Sequence, residues 1–208
     1  MASAGSSIIM DEMPEFPRSA LEALREPLET GQVRISRASR HTEFPARFQL
    51  IAAMNPCPCG YLGSSLRTCR CTPDQVARYQ AKLSGPLMDR IDLHVDVQAL
   101  PAGELLHAAP GEGSAAVRVR VQAARTRAWT RQGCSNQQLV GAELDARAQL
   151  DGAATGFITA AAAQLGWSAR GTHRTLKIAR TIADLAGSAA VQVTHVAEAM
   201  QYRRMSVR

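Results

Sequence analysis

The chain has 208 residues and a mass of 22.3 kDa, enough for one large domain or two small ones, and 46% of it is apolar, enough to build a core. Its formal charge is +6 with a sequence pI ≈ 9.5, carried almost wholly by arginine because Lys82 and Lys177 are the only lysines, a balance suited to phosphate or carboxylate recognition. No apolar run approaches a membrane span and no basic-then-apolar leader is present, which argues against a spanning protein and for the cytoplasm, where the five cysteines read as metal ligands or free thiols.

Residues 1–7 are small and polar and are expected to be unstructured. Ile8-Ile9-Met10 then reads as a buried strand that ends in two adjacent carboxylates, Asp11-Glu12. From Pro14 to Glu29 the leucines at 21, 24 and 28 keep helical spacing, with Pro17 in the first turn and Gly31 as the stop. Gln32–Ser36 and Phe44–Arg47 are extended segments around a basic tip, 37–42, and predict a β-hairpin. Phe48–Met54 is a second apolar strand, halted at Asn55-Pro56. A cysteine-rich loop covers Cys57 to Cys71, and Thr72-Pro73-Asp74 opens a helix running to about Leu83. Ser84–Arg90 predicts a short turn-helix element, and the alternation over Ile91–Val97 predicts a strand. The stretch 100–114 is rich in Pro and Gly and reads as a linker. Helices are then predicted over 115–131, 146–165, 169–186 and 194–202, with Ser168 and Thr194 as N-caps. The expected organisation is a mixed α/β part over 8–99, a linker, and an all-α part over 115–208.

Paired carboxylates at the end of an apolar strand read either as a solvated acidic pair or as the pair used in nucleotide hydrolysis, the first, Asp11, to hold Mg²⁺ and the second, Glu12, to polarise water. Asn55 ends the next apolar strand, and the carboxyl ends of adjacent parallel strands converge on one crevice, so Asn55 belongs beside that pair. Arg90, between Asp89 and Asp92, reads either as an ion-paired surface residue or as a finger directed at a neighbour's nucleotide. Arg170, at the start of a predicted helix, is placed to close over phosphates, with Arg174 as a rival. Cys57-x-Cys59 and Cys69-x-Cys71 flank nine residues that include Gly60 and Gly63. Four thiolates can surround Zn²⁺ and pin a loop of low apolar content, with free thiols as the alternative. Cys134, His94 and His173 carry no ligand role in this reading.

The order of these signals resembles magnesium-chelatase-like AAA+ proteins of the ComM/YifB branch. The resemblance rests on Met10-Asp11-Glu12-Met13-Pro14-Glu15-Phe16, Leu24–Gly31, Phe44-Pro45-Ala46-Arg47-Phe48, Ala53–Tyr61, Leu87–His94 and Lys177–Leu185, and it extends from about residue 8 to the C-terminus. It implies an incomplete AAA+ P-loop core (α/β, second half, with hairpin insert and Cys-rich loop) followed by an all-α lid. It further implies a hexameric ATP-driven motor acting on DNA in branch migration during natural transformation. Asp11 and Glu12 take the Walker B roles with Mg-ATP, Asn55 that of sensor 1, Arg90 that of arginine finger and Arg170 that of sensor 2. Arg34, Arg37, Arg40 and His41 of the hairpin become candidate DNA contacts. The alternatives are a magnesium-chelatase-type ATPase subunit acting on a porphyrin and a non-catalytic DNA- or oligomer-binding module. The family's phosphate loop, G-x-x-x-x-G-K-[ST], has no match in these residues, so the chain is expected to be a C-terminal part that does not hydrolyse ATP alone.

Overall fold

A computed structural model of the chain describes residues 6–37, 40–107 and 109–203. It divides into two units, the first reaching to Ile91 and including Val97–Ala102, the second comprising Asp92–Asp96 and the residues from Gly103 onward.

In the first unit β1 (Ser6–Met10) is followed by a 3₁₀ turn, Met13–Glu15, and by α1 (Arg18–Ala23) and α2 (Arg25–Thr30). The single helix predicted over 14–29 is therefore broken. Pro27 has no N–H for the Ala23 carbonyl, and its ring crowds that carbonyl, so the helix cannot pass Leu24 unbroken. Gly31, at φ 70°, ends α2 in the left-handed conformation. β2 (Gln32–Arg37) and β3 (Arg40–Pro45) form the expected antiparallel hairpin, with Arg37 opposite Arg40. The predicted basic tip is shorter than 37–42, and Ala38-Ser39 at its apex lie outside the described residues. β4 (Phe48–Ala52) pairs parallel with β1, Ser6 opposite Phe48 through Met10 opposite Ala52. Ser6 and Ser7, expected to be unstructured, thus belong to β1.

α3 (Pro73–Gln80) begins at Thr72, whose hydroxyl accepts from the Gln75 amide while the Gln75 side chain accepts from the Thr72 amide. α4 (Gly85–Met88) starts at Ser84 in the same manner, its hydroxyl taking the Leu87 amide. Met10, Met13, Leu21, Leu83 and Leu87 are buried together, with Ile8, Leu24, Leu28 and Leu50 against them. Alternation leaves the other face of the sheet open: Ile9 is 76% exposed and Ile51 49%. The expectation of a buried β1 therefore holds for one face.

The strand predicted over Ile91–Val97 is not formed. Alternation suits a strand but does not supply a partner, and these residues bond elsewhere: Asp92 pairs with Arg174 at 2.6 Å, and the His94 amide donates to the Tyr202 carbonyl at 2.8 Å. A short helix, α5 (Ala102–His107), stands within the predicted linker.

The second unit contains α6 (Ser114–Gln132), α7 (Gly141–Ala148), α8 (Gly152–Leu165), α9 (Ala169–Leu185) and α10 (Val193–Gln201). The helix predicted over 146–165 is interrupted because Gln149 turns left-handed at φ 52° and Asp151 caps α8, accepting from the Ala154 amide at 2.7 Å. Ser168 caps α9 as expected, whereas the N-cap of α10 is Gln192, two residues before the predicted Thr194, on a reciprocal Gln192–His195 box. Leu139, Leu144, Ile158, Leu176, Val191 and Val196 lie in one core with alanines of α7 to α10. At its edge Asp184, 1% exposed, accepts both guanidinium nitrogens of Arg131 at 2.6 and 2.9 Å, Arg180 at 3.0 Å and the Asn136 amide at 2.9 Å. No described helix is long and apolar enough to cross a membrane.

Candidate functional site

The parallel register sets Met10 beside Ala52, so β1 and β4 end together and Asp11-Glu12 and Asn55 leave from the same end of the pair. Two bonds carry the ladder past the strands: the Ala53 amide donates to the Met10 carbonyl at 2.8 Å, and the Met13 amide to the Ala53 carbonyl at 3.0 Å. Asp11-Glu12 is held between those bonds as a two-residue excursion with both side chains exposed. Asp11 Oδ1 accepts the Glu12 amide at 2.9 Å. Glu12 itself is left-handed, φ 50° and ψ 47°, a conformation that costs a residue with a Cβ on the order of 1–2 kcal/mol. Such local strain is retained when surrounding structure over-determines it, and here the flanking ladder bonds and Pro14 do so.

Behind Asn55 the loop is buttressed from α3. Gln80 Nε2 donates to the Pro56 carbonyl at 3.3 Å, and Tyr79 is buried with its hydroxyl bonded to the Asn55 backbone. Burial first, then the nearby charge of Glu15, pushes the Tyr79 phenol above its ordinary range, while the Asn55 amide, donating to the phenol oxygen, works against that shift. Lys82 pairs with Glu15 at 2.9 Å on the exposed rim. Sequence reading missed Tyr79, because nothing local distinguishes a packing tyrosine from one that holds a neighbouring backbone.

Arg90 follows α4 and is largely buried. Its Nε meets Glu29 Oε2 at 3.1 Å, and Nη1 donates to the Pro86 carbonyl at 2.6 Å. The ion-paired alternative thus describes its geometry within the chain, with Glu29 as a partner. In the second unit Arg170 lies in the first turn of α9 with its residue surface exposed, and Arg174, one turn on, pairs with Asp92 at 2.6 Å. On the hairpin Arg34 Nε reaches Glu43 Oε1 at 2.8 Å across the strands, and His41 Nδ1 lies 2.9 Å from Ser36 Oγ. The side chains of Arg37 and Arg40 lie outside the described residues.

The four cysteines of the loop do come together. Cys57 Sγ is 3.4 Å from Cys59 and 3.7 Å from Cys69, Cys59 is 3.5 Å from Cys69, and all four sulfurs, Cys71 included, lie within 4.8 Å of one another. Four thiolates around a zinc ion at about 2.3 Å stand about 3.8 Å apart by tetrahedral geometry, so the donor set fits the metal. Backbone hydrogen bonds from Arg70 and then Tyr61 pull the Cys59 thiol down to about 6, while burial and the neighbouring sulfurs push Cys71 up to about 12. Thiols packed this closely do not ionise together without a cation, whose charge reverses that preference. A cleft of about 540 Å³ beside them is lined by Glu15, Cys59, Arg70, Cys71, Arg78 and Lys82, among others.

Residues 1–105 match a family described as magnesium chelatase, subunit ChlI, and residues 111–203 match its C-terminal part. The chain is 46% identical over 200 residues to the competence protein ComM of Haemophilus influenzae, covering 95% of this chain and 39% of that relative. It is 43% identical over 197 residues to the uncharacterised protein YifB of Escherichia coli, covering 94% of this chain and 38% of the relative. An uncharacterised protein of Mycobacterium bovis is 40% identical over 205 residues, 97% of this chain and 40% of the relative. The chain therefore spans about two fifths of the length of these relatives.

Proposed function

We propose that this chain, which belongs to the magnesium chelatase subunit ChlI family and resembles its ComM and YifB members, carries one half of an ATP-hydrolysing site of a DNA motor. The observation that carries the reading is the common end of β1 and β4, from which two carboxylates and a carboxamide depart. In this reading Asp11 holds the magnesium of Mg-ATP, Glu12 orients the attacking water, and Asn55 donates to the γ-phosphate. Arg90 acts on the nucleotide of an adjacent subunit in a hexamer, which requires its pair with Glu29 to open. Arg170 closes over the phosphates from the helical lid, with Arg174, which pairs with Asp92, as the alternative for that role.

The residues in hand contain no G-x-x-x-x-G-K-[ST] loop, and without its amides and lysine the β- and γ-phosphates lack their main cradle. The chain alone then neither binds nor turns over ATP. DNA as the substrate is supported by the +6 charge, by the hairpin and by likeness to a protein named for competence. The four-cysteine loop, which the porphyrin alternative does not call for, holds structural Zn²⁺ in the same reading.

The test is to place substitutions matching Glu12→Gln and Asn55→Ala in the longer Haemophilus influenzae relative. DNA-stimulated ATP turnover should fall by about 100-fold or more in each, with nucleotide binding retained in the Glu12→Gln equivalent. Unchanged turnover in both would remove the half-site reading.

A further inference from the structure

The cysteine loop follows Asn55 so closely that the two act as one piece of structure. We propose that Zn²⁺ bound by Cys57, Cys59, Cys69 and Cys71 is a positioning element that fixes the Asn55 carboxamide at the end of β4. What Asn55 does once positioned rests on the γ-phosphate reading above; that the metal positions it does not.

Closure of the loop depends on its sulfurs. Of its larger apolar side chains, Tyr61 and Leu66 are 36% and 49% exposed and Leu62 is half-buried, and none belongs to a buried core. Its backbone bonds to itself are short-range turns, Gly60 to Cys57 at 3.0 Å and Ser64 to Tyr61 at 3.1 Å. The two arms meet through sulfur: Cys57 and Cys59 against Cys69. A metal replaces the missing apolar closure, since binding free energy at four thiolates is folding free energy for the segment they enclose.

The link to Asn55 is direct. Only Pro56, whose φ is fixed, separates Asn55 from Cys57, and Cys57 is fully buried. Gly60 is left-handed at φ 80° and turns the chain back onto Asn55: a Cβ built there lies 3.6 Å from Asn55 Oδ1 and 3.8 Å from Cγ. The carboxamide thus stands at the distance at which a side chain at Gly60 would touch it, and Gly60 belongs to the metal loop, between Cys57 and Cys59 on one side and Cys69 and Cys71 on the other. With the sulfurs fixed, Gly60 is fixed, and the exposed Asn55 side chain has a rigid wall behind it. Without the metal, the four thiols have no common centre and that wall is released.

Two measurements on the purified 208-residue protein decide this. Metal analysis should find about one zinc per chain, and less than about half an equivalent after incubation with excess zinc would overturn the proposal. Chelation should then raise amide exchange over 53–61 by about tenfold or more and shift the side-chain amide resonances of Asn55. Re-addition of zinc should reverse both, while α9 stays protected throughout. Zinc bound stoichiometrically, with exchange at 53–61 and the Asn55 resonances indifferent to its removal, would also overturn it. Cys69→Ser should reproduce the chelated state and Cys134→Ser the native one; should Cys69→Ser fail to fold, chelation and reconstitution of the native chain still decide. No nucleotide enters these measurements, so failure here is distinct from failure of the ATP reading, which shows in the turnover of the longer relative.

Discussion

At the scale of single residues, Glu12 combines chemistry with a backbone conformation that glycine would adopt more readily. Its carboxylate was legible in the sequence from the apolar run that delivers it, and its φ of 50° was not, because the ladder bonds on either side that impose it involve Ala53 of a different strand. The two properties separate in one substitution. Glu12→Gly should stabilise the first unit by about 1 kcal/mol relative to Glu12→Ala, since Ala keeps the Cβ that strains the left-handed region. Denaturant midpoints of the two variants measure the difference, and equal midpoints would mean that the strain is absent. Arg90 teaches the same lesson. Its position between acids was readable, whereas its partner Glu29 sits on α2 and reaches it only through packing. The cysteines were easier, because paired short spacings at the two ends of a loop already imply convergence.

Elements add what residues cannot carry alone. The hairpin was predictable from alternation, and its register shows that its basic residues are not equivalent: Arg34 faces Glu43 and spends its charge across the strands. Replacing Arg37 and Arg40 together with Ala should weaken DNA binding and lower the salt slope by about 2, whereas Arg34→Ala should change the slope by less than about 1. Binding isotherms at several salt concentrations would show it, and an unchanged slope in the double variant would remove the hairpin from the interface. In the helical unit the four-group cluster around Asp184 ties α6, the turn at Asn136–Gln138 and α9 together. Nothing in the helical pattern announces it, since its partners come from three separate elements. Burial alone would raise the Asp184 carboxyl; hydrogen bonds from Arg131 and Asn136 and the charge of Arg180 outweigh it and hold it below its ordinary range. A lowered folded value means that the stabilisation is present above the unfolded carboxylate range, about 3.9, and is lost as pH falls through the lowered value. Asp184→Asn should cost about 3–5 kcal/mol at neutral pH, because it leaves two guanidinium groups buried without a counter-charge. Thermal melts across pH should show that cost shrinking in strong acid, and a neutral substitution would show that the cluster is already open to water.

For the whole molecule the decisive contrast is between two cores. Among the described residues thirteen buried side chains form the helical core and five form that of the α/β unit. The parallel pair β1–β4 also has an open face carrying Ile9 and Ile51, although parallel strands are ordinarily covered on both faces. Exposed apolar strands invite association with whatever apolar surface is available, a second copy of the chain included. The helical unit has no such face on a sheet, and the residues that complete it, Asp92 and His94, are known from their bonds to Arg174 and Tyr202. A polypeptide covering 92–203 should therefore melt cooperatively as a monomer, while the 208-residue chain should show an additional, earlier transition and concentration-dependent association. Changing Ile9 and Ile51 to Thr retains β-propensity while removing apolar surface, and it should shift the chain toward monomer without moving the later transition. Light scattering with calorimetry tests both statements. Association that persists in the double variant would locate the contact elsewhere, and loss of cooperativity in 92–203 would mean that the helical core depends on residues before Asp92. The boundary matters because Ile91–Val97 reads as a strand of the α/β part, while Asp92–Asp96 within it belong to the helical one: alternation is a property of the segment, and its partner is a property of the fold.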